Sequence, residues 1–567
     1  MICAQLHLAS RKARRIAPIA TSLLTGFLLG CGTRDVASAD DGDTGGSLVV
    51  VQPAEPATLF PPSTNSTDAL PIVNALFDKL AEIGADLSVN GDAGYSPRLA
   101  SSWQWAADSL SIAFSLDPNA RWHDGQPVRA EDVRFTFAAY TSDSVGSDSK
   151  SLLGNIDSVS VPDSLTPVFW FKRRLPQQFF DATYHMYIIP AHLLGSVGMG
   201  ALTSAPFGRA PIGTGRFRFV TWEPGVRLEI TADTANARGR AKLDRITWSF
   251  VKDFGAATVK LFAGDADFYE AIRPDDIPQV ERSAELRLEA APMLQYGLLA
   301  YNLRSRADKN APHPIFGDLR VRRALAMAVD RQKMARNVLE SMGLVALANA
   351  PRVLIPDTVS LKQLPYDPSA ARALLDSAGW VLTAGDSVRR KAGIPFAFEL
   401  MAPKSSVVRS RYVVLLQEQL RPLGVRVSAR VLEGNSMGDL VQANKFDAWV
   451  HIWNMTPGRL GMGQVWSTGG SGNMQGYASP AFDALIDTAF TTFNADRSRA
   501  VWTRVFQRLL DDQPGLLLYE PRTPVAIHRR IRTTPWRADA WYVGLADWTV
   551  DASQRIARDR VGLRSAR

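Results

Sequence analysis

One short motif in this chain has the spacing of a catalytic nucleophile. Residues 434–438 read Gly-Asn-Ser-Met-Gly, which fits G-x-S-x-G, the strand-to-helix elbow that exposes a nucleophilic serine. Ser436 would attack, and Asp487 and His528 follow it in the chain order Ser, Asp, His. Because the pattern has three fixed positions, it recurs by chance in long chains. A serine hydrolase using Ser436 is therefore a distant alternative.

Two further segments carry residues that suit catalysis, metal binding or phosphate binding. His123 and Asp124 form an acid–base or metal-ligating pair, but Gly125 after them favours a turn. Residues 213–215 read Gly-Thr-Gly but lack the lysine and the spacing of a phosphate-binding loop. The seven histidines show no cluster with ligand spacing. We expect no catalytic residue, no metal site and no cofactor.

Cys31 has the position of a lipid-modified cysteine. It ends the sequence Leu-Leu-Gly-Cys, after basic residues between 11 and 15 and an apolar stretch over residues 16–29. This layout is typical of a secretory signal, and a cysteine directly after the cut is typical of bacterial lipoproteins. We expect acyl chains on Cys31 to anchor the protein to a bacterial membrane, outside the cytoplasm, in the periplasm or at the cell surface. The sequence leaves open which membrane this is.

The composition excludes several classes of protein. After residue 30 no apolar run approaches the 18 residues of a membrane-spanning helix. The net charge of +8 is spread along the chain without blocks of like charge, so we expect no nucleic-acid partner. The two cysteines are Cys3 and Cys31, which leaves the expected mature chain no thiol for a disulfide or a zinc site.

Short strands alternate with amphipathic helices, which predicts a mixed α/β architecture. The apolar residues 48–51 predict a buried strand. Asp318 and Asp367 each predict the start of a helix, and Gly379 predicts the end of the second one. A third helix is expected near residue 416, followed by a strand over residues 425–431.

Several segments in order resemble one known family. They are residues 97–103, 122–133, 211–217 with 222–225, 318–331 and 366–380. Through them the chain resembles the extracellular solute-binding proteins of ABC importers, of the dipeptide, oligopeptide and nickel-binding type. The resemblance covers almost all of the expected mature chain. It implies a non-enzymatic, monomeric protein that captures a peptide or peptide-like solute by hinge closure and delivers it to an ABC permease in the membrane.

The resemblance also implies the fold and its domain order. We expect an α/β fold, a two-lobed periplasmic-binding-protein-like clamp of three domains with mixed sheets flanked by helices. The expected ranges are a lipoprotein signal peptide at 1–30, a flexible tether at 31–46, a discontinuous domain I at 47–80, 208–298 and 518–560, an inserted domain II at 81–207, and domain III, the second lobe, at 299–517.

In this family the ligand lies between domain I and the far lobe, which implies a set of ligand-binding positions. They are Ser63, Thr64, Asn65, Tyr296, Asn302, Trp453, Asn454, Arg459 and Trp466. For the first three the alternative is a surface loop, since such residues favour turns. For the tryptophans the alternative is core packing.

The chain departs from the peptide binders at one position. They usually carry an aspartate a few residues after the tryptophan that corresponds to Trp453. Residues 453–459 of this chain contain no acid. A buried ammonium without its partner costs about 3–5 kcal/mol. Either another acid substitutes, with Asp439 and Asp447 nearby in sequence, or the ligand is a sugar, a modified peptide or a metal chelate. Arg459 offers a fork suited to a carboxylate or phosphate, and a ligand sensor without a transporter is a further alternative.

Overall fold

The computed structural model describes residues 44–563, apart from residues 65 and 271. The predicted signal peptide, Cys31, nearly all of the tether and Asn65 lie outside the described residues. Within the described ranges, no helix combines the length and the apolar character needed to cross a bilayer.

Short strands alternate with helices along the described chain, as the sequence predicts. The strands are β1 (Ser47–Gln52), β2 (Ala81–Glu82), β3 (Ser96–Pro97), β4 (Ala100–Trp105), β5 (Ser111–Leu116), β6 (Ile156–Asp163), β7 (Thr166–Phe171), β8 (Phe217–Glu223), β9 (Arg227–Ala232), β10 (Arg245–Phe250), β11 (Phe268–Glu270), β12 (Leu286–Pro292), β13 (Gln295–Tyr301), β14 (Gly343–Leu344), β15 (Arg390–Lys391), β16 (Ile394–Pro395), β17 (Ala397–Pro403), β18 (Arg426–Leu432), β19 (Ala448–Asn454), β20 (Gly515–His528), β21 (Ile531–Arg532) and β22 (Thr549–Val550). The helices are α1 (Leu70–Leu76), α2 (Ala130–Thr141), α3 (Gln178–Tyr184), α4 (Ala191–Leu194), α5 (Phe254–Phe262), α6 (Ile277–Arg282), α7 (Leu319–Ala328), α8 (Arg331–Leu339), α9 (Pro368–Ser377), α10 (Val407–Leu420), α11 (Gly434–Gln442), α12 (Leu460–Trp466), α13 (Pro480–Thr491) and α14 (Ala495–Asp512).

One long strand, β20, joins the two halves of a large mixed sheet. The sheet runs β18-β17-β19-β13-β20-β11-β1-β10-β9-β8, with β12 and β14 also paired to β20. The first part of β20 pairs with β13, and the part from Arg522 onward pairs with β12. We call the half with β1 and β8–β12 the first lobe, and the half with β13 and β17–β19 the second lobe. A separate antiparallel sheet, β4-β5-β7-β6, forms within residues 100–171.

The local signals read from the sequence fold as predicted. The Asp367 carboxylate accepts hydrogen bonds from two amides in the first turn of α9, and Gly379 follows that helix with φ +83°. This is the left-handed conformation that glycine adopts at low cost. Asp318 caps α7 in the same way. Strand β1 covers the predicted residues 48–51, and β18 lies one residue beyond the predicted 425–431.

The segment with His123, considered for acid–base chemistry, and residues 213–215, considered for phosphate binding, are held together by hydrogen bonds and have a structural role. The Gly213 amide donates to His123 Nδ1 at 3.1 Å, and His123 Nε2 lies 2.9 Å from the Gly215 carbonyl oxygen. Burial lowers the pKa of His123, so the ring stays neutral in this role. A Cβ on Gly213 would lie only 1.8 Å from the Leu76 carbonyl oxygen at the end of α1. The glycines therefore allow close backbone packing, and Gly125, with φ +88°, forms the predicted turn.

We predict that Gly213→Ala destabilises the protein by at least about 2 kcal/mol, because the added methyl overpacks rigid backbone. The matched control is Gly438→Ala in α11, where nothing outside the helix's own backbone lies within 4 Å of the new Cβ. That change should be neutral or stabilise by up to about 1 kcal/mol. Urea unfolding of the three proteins measures the difference, and equal stability of Gly213→Ala and the parent would contradict the packing argument.

Candidate functional site

Two neighbouring cavities share one wall, and one of them lies where β20 passes between the lobes. The Ser63 cavity, about 290 Å³, is lined by Ser63 and Thr64. The Asn454 cavity, about 320 Å³, is lined by residues 454–457 and by residues 291–295, which join β12 to β13. The residues that line both cavities are Leu70, Tyr184, Arg537, Asp539, Ala540 and Tyr542. Because they share this wall, we call the two cavities together the central cleft.

Three of the predicted site residues reach the central cleft from different elements. Ser63 and Thr64 follow the consecutive prolines that open a short 3-10 turn, Pro61–Ser63, and the Thr64 hydroxyl donates to the Phe60 carbonyl oxygen at 2.8 Å. Asn454 is the exposed last residue of β19. The structure thus places a hydroxyl-bearing turn and the end of a second-lobe strand at one cleft.

The other predicted contacts lie among packed side chains. Tyr296 and Trp466 are buried in the hydrophobic core. Asn302 is also buried, and its side-chain amide donates to the Phe446 carbonyl oxygen at 2.9 Å, which fixes the chain after β13. Trp453 is half-buried opposite Tyr296 in the strand pairing. These positions do not line the central cleft, and their contact with a ligand stays a prediction.

Arg459 lines a separate cavity of about 220 Å³, together with Asn90 and Gln177. Its guanidinium carbon lies 4.8 Å from the centre of the Trp502 ring, and Nη2 donates to the Leu354 carbonyl oxygen at 3.1 Å. Burial lowers its pKa to about 10. The structure does not bring Arg459 to the residues of the central cleft.

Neither acid that is near Trp453 in sequence reaches the central cleft. Asp447 forms an ion pair with Arg306 at 3.3 Å, lies 3.4 Å from His313 Nε2, and also accepts the Glu399 amide. Asp439 lies exposed on α11. A substitute for the missing aspartate must therefore come from elsewhere in the chain.

The wall shared by the two cavities is a buried ion network. Arg537 donates hydrogen bonds from two nitrogens to the Asp539 carboxylate, at 2.6 and 3.0 Å, and forms an ion pair with Glu82 at 2.9 Å. The Tyr184 hydroxyl donates to Asp539 at 2.9 Å. Burial alone would lower the pKa of Arg537, but Glu82 and Asp539 raise it well above its usual range. Asp539 is thus already compensated and is poorly suited to receive a further cation.

Two charged side chains that line the central cleft have no ion-pair partner within 4 Å among the described residues. Glu270, the last residue of β11, accepts a hydrogen bond from Trp541 Nε1 at 2.8 Å and has no cation beside it. Lys79 lies under the rings of Tyr184 and Tyr187, with its ammonium 4.1 and 4.9 Å from their centres. Sequence reasoning missed both residues, because neither belongs to a motif or lies near Trp453.

Ser436 lies in the first turn of α11, exposed to solvent, as the strand-and-helix context of the motif predicts. No hydrogen bond joins it to a histidine within the described part of the chain. His528 ends β20, four strand spacings away from β18, the strand that leads to α11. This is about 19 Å at the usual spacing of strands, so the geometry gives no support to a catalytic triad.

Comparison with known proteins places this chain in a family. A Bacillus subtilis relative, "Oligopeptide-binding protein AppA", is 28% identical over 508 residues, which cover 86% of this chain and 89% of the relative. The structure of that protein in complex with a nonapeptide covers 89% of this chain and 99% of its own, with 24% identity and a TM-score of 0.66. Campylobacter jejuni NikZ in complex with Ni(L-His) covers 90% and 99%, with 22% identity and a TM-score of 0.68. Both structures share the predicted two-lobed α/β fold.

A family model describes most of the chain directly. Residues 94–475 match the model of bacterial extracellular solute-binding proteins, family 5. The match includes the segments on which the sequence resemblance was based, from residue 97 to residue 380. It also runs through the strands that build the second lobe and ends beyond Asn454. This chain is therefore a member of the family 5 bacterial extracellular solute-binding proteins.

Proposed function

We propose that this protein binds a peptide with a free amino terminus in the central cleft and that Glu270 receives the ammonium group. The observation that carries the proposal is a half-buried carboxylate in the cleft that has no cationic partner within the described ranges. The oligopeptide-binding relative supports peptides as the ligand class. Glu270 then replaces the aspartate that is missing from residues 453–459.

The surroundings of Glu270 suit this role. Burial raises its pKa, and the hydrogen bond from Trp541 offsets part of that effect. An incoming ammonium would stabilise the charged carboxylate and would supply the missing counter-charge. Trp541 also fixes the direction of the carboxylate, so the Glu270 side chain loses less conformational freedom when the ligand binds.

Closure of the two lobes over the ligand is part of the proposal. Glu270 comes from the first lobe and Asn454 from the second, so a ligand that contacts both favours the closed state. The lobes are joined at residues 292–295 and 520–524, and such crossings absorb hinge motion in clamp proteins. The expected moving bodies are domain I at 47–80, 208–298 and 518–560 and domain III at 299–517, with the boundary between 298 and 299 falling inside β13, a few residues after the crossing.

The proposal also covers the oligomeric state, the transporter partner and the location of the protein. We infer a monomer that carries its solute to an ABC permease, held outside the cytoplasm by acyl chains on Cys31 and performing no catalysis. The family description as extracellular supports the location. The exposed Ser436, without a histidine partner among the described residues, supports binding without chemistry.

The Glu270→Gln variant tests the proposed amine site. We expect its affinity for a random tripeptide library with free amino termini to fall by about 30-fold or more, because the ammonium loses its buried counter-charge. The N-acetylated library should bind weakly to both proteins. The wild-type affinity should also fall as the pH is lowered through the raised pKa of Glu270, since protonation removes the negative charge.

Affinity-selection mass spectrometry measures these differences. Glu418→Gln, an exposed position on α10, is the matched control and should bind like the wild type. If the acetylated library bound as well as the free-amine library, or if Glu270→Gln bound normally, the ligand would not be recognised by its ammonium at this site.

The Cys31→Ser variant tests the anchor. We expect wild-type protein to incorporate labelled palmitate and to fractionate with membranes, because several acyl chains bind a bilayer stably. The variant should incorporate no label and should leave the membrane fraction. A labelled Cys31→Ser protein, or an unlabelled wild type, would contradict lipid anchoring at this cysteine.

A further inference from the structure

Lys79 lines the Ser63 cavity, and its ammonium has no acceptor among the residues that the structure describes. The side chain is only 7% exposed, and its nitrogen lies close to the rings of Tyr184 and Tyr187, at 4.1 and 4.9 Å from their centres. Aromatic rings attract a cation, but they leave its three N–H donors without strong acceptors. Neither a hydrogen bond nor an ion pair of this ammonium is found among the described residues.

The charges beneath the cleft do not provide the missing acceptor. Asp539 is occupied by Arg537 and Tyr184, and Glu82 by Arg537. Burial lowers the pKa of Lys79, and Glu82 raises it at longer range without forming an ion pair within 4 Å. The anionic groups nearest to Lys79 are thus committed to another cation.

Positive charges outnumber negative ones in this buried cluster. Its cations are Lys79, Arg98, Arg216, Arg238 and Arg537, and its anions are Asp78, Glu82, Asp539 and Asp547. Arg238 is paired with Asp78, and Arg98 lines a small cavity that Lys79 also borders, but it does not line the Ser63 cavity. Lys79 is the member of the cluster that presents an uncompensated positive charge to the Ser63 cavity.

We infer that Lys79 binds a carboxylate of the ligand, which is either the carboxyl terminus of the peptide or an acidic side chain. This inference rests on the proposed function. Glu270 lines the Asn454 cavity and Lys79 lines the Ser63 cavity, and the two cavities share the wall formed by Tyr184, Arg537 and Asp539. A peptide lying across that wall carries its ammonium to Glu270 and its carboxylate to Lys79.

Three tripeptide libraries with free amino termini distinguish the sources of the carboxylate. The first has free carboxyl termini and no Asp or Glu, the second is the same library with amidated carboxyl termini, and the third is amidated with one Glu at a fixed position. Each of them, and an N-acetylated version of the first library, is offered at pH 7 to refolded, ligand-free protein, and the retained peptides are quantified by mass spectrometry. The proteins are the wild type, Lys79→Met, Lys79→Gln and the control Lys309→Met, whose lysine is exposed.

We expect the wild type and Lys309→Met to retain the first or the third library at least tenfold more than the second. Preference for the first identifies the carboxyl terminus, and preference for the third identifies an acidic side chain. Lys79→Met and Lys79→Gln should lose this preference while they still select free over acetylated amino termini. That second readout separates a binding role from a merely structural one.

The opposite results overturn the inference. If the wild type retains the neutral amidated library equally well, no carboxylate is recognised, whatever the variants do. If the Lys79 variants keep the preference, another residue provides the recognition. Failure of the wild type to prefer free over acetylated amino termini would instead reject the proposed amine site, so the two failures are distinguishable.

Discussion

The cost of holding charges away from water shapes the central cleft. A buried ion is tolerated when an opposite charge and hydrogen bonds compensate it. Arg537, Asp539 and Glu82 meet this condition among themselves, with the Tyr184 hydroxyl completing the shell around Asp539. They form a rigid wall with little capacity to bind further ions. The same condition leaves Glu270 and Lys79 as the groups that a zwitterionic ligand would complete.

The long strand β20 links the proposed ligand site to both lobes. It pairs with β13 at one end and with β12 at the other, so one continuous element enters both halves of the sheet. The Asn454 cavity lies at this crossing, where residues 291–295 and Thr523 form part of its lining. A ligand held between Glu270 and the end of β19 would contact both lobes beside this crossing and would favour the closed state that we propose.

The sequence predicted the family, the fold class and several helix and strand positions, because caps, glycine turns and apolar periodicity are local signals. Through resemblance it also proposed Ser63, Thr64 and Asn454, which line the central cleft and whose contact with a ligand stays a prediction. It did not predict Glu270, which lies far along the chain from Trp453 and reaches the Asn454 cavity only through sheet pairing. Proximity in sequence suggested Asp439 and Asp447 instead. Asp439 is exposed, and Asp447 already contacts Arg306 and His313.

Native mass spectrometry of the mature protein, purified without added ligand and compared before and after denaturation, tests the central claim most directly. The proposed site predicts the release of peptides that carry a free amino terminus and a carboxylate. Fragmentation of the released molecules identifies both groups. Release of a sugar, a metal chelate or a peptide with a blocked amino terminus, with no free-amine peptide, would contradict recognition of a zwitterionic peptide in the central cleft.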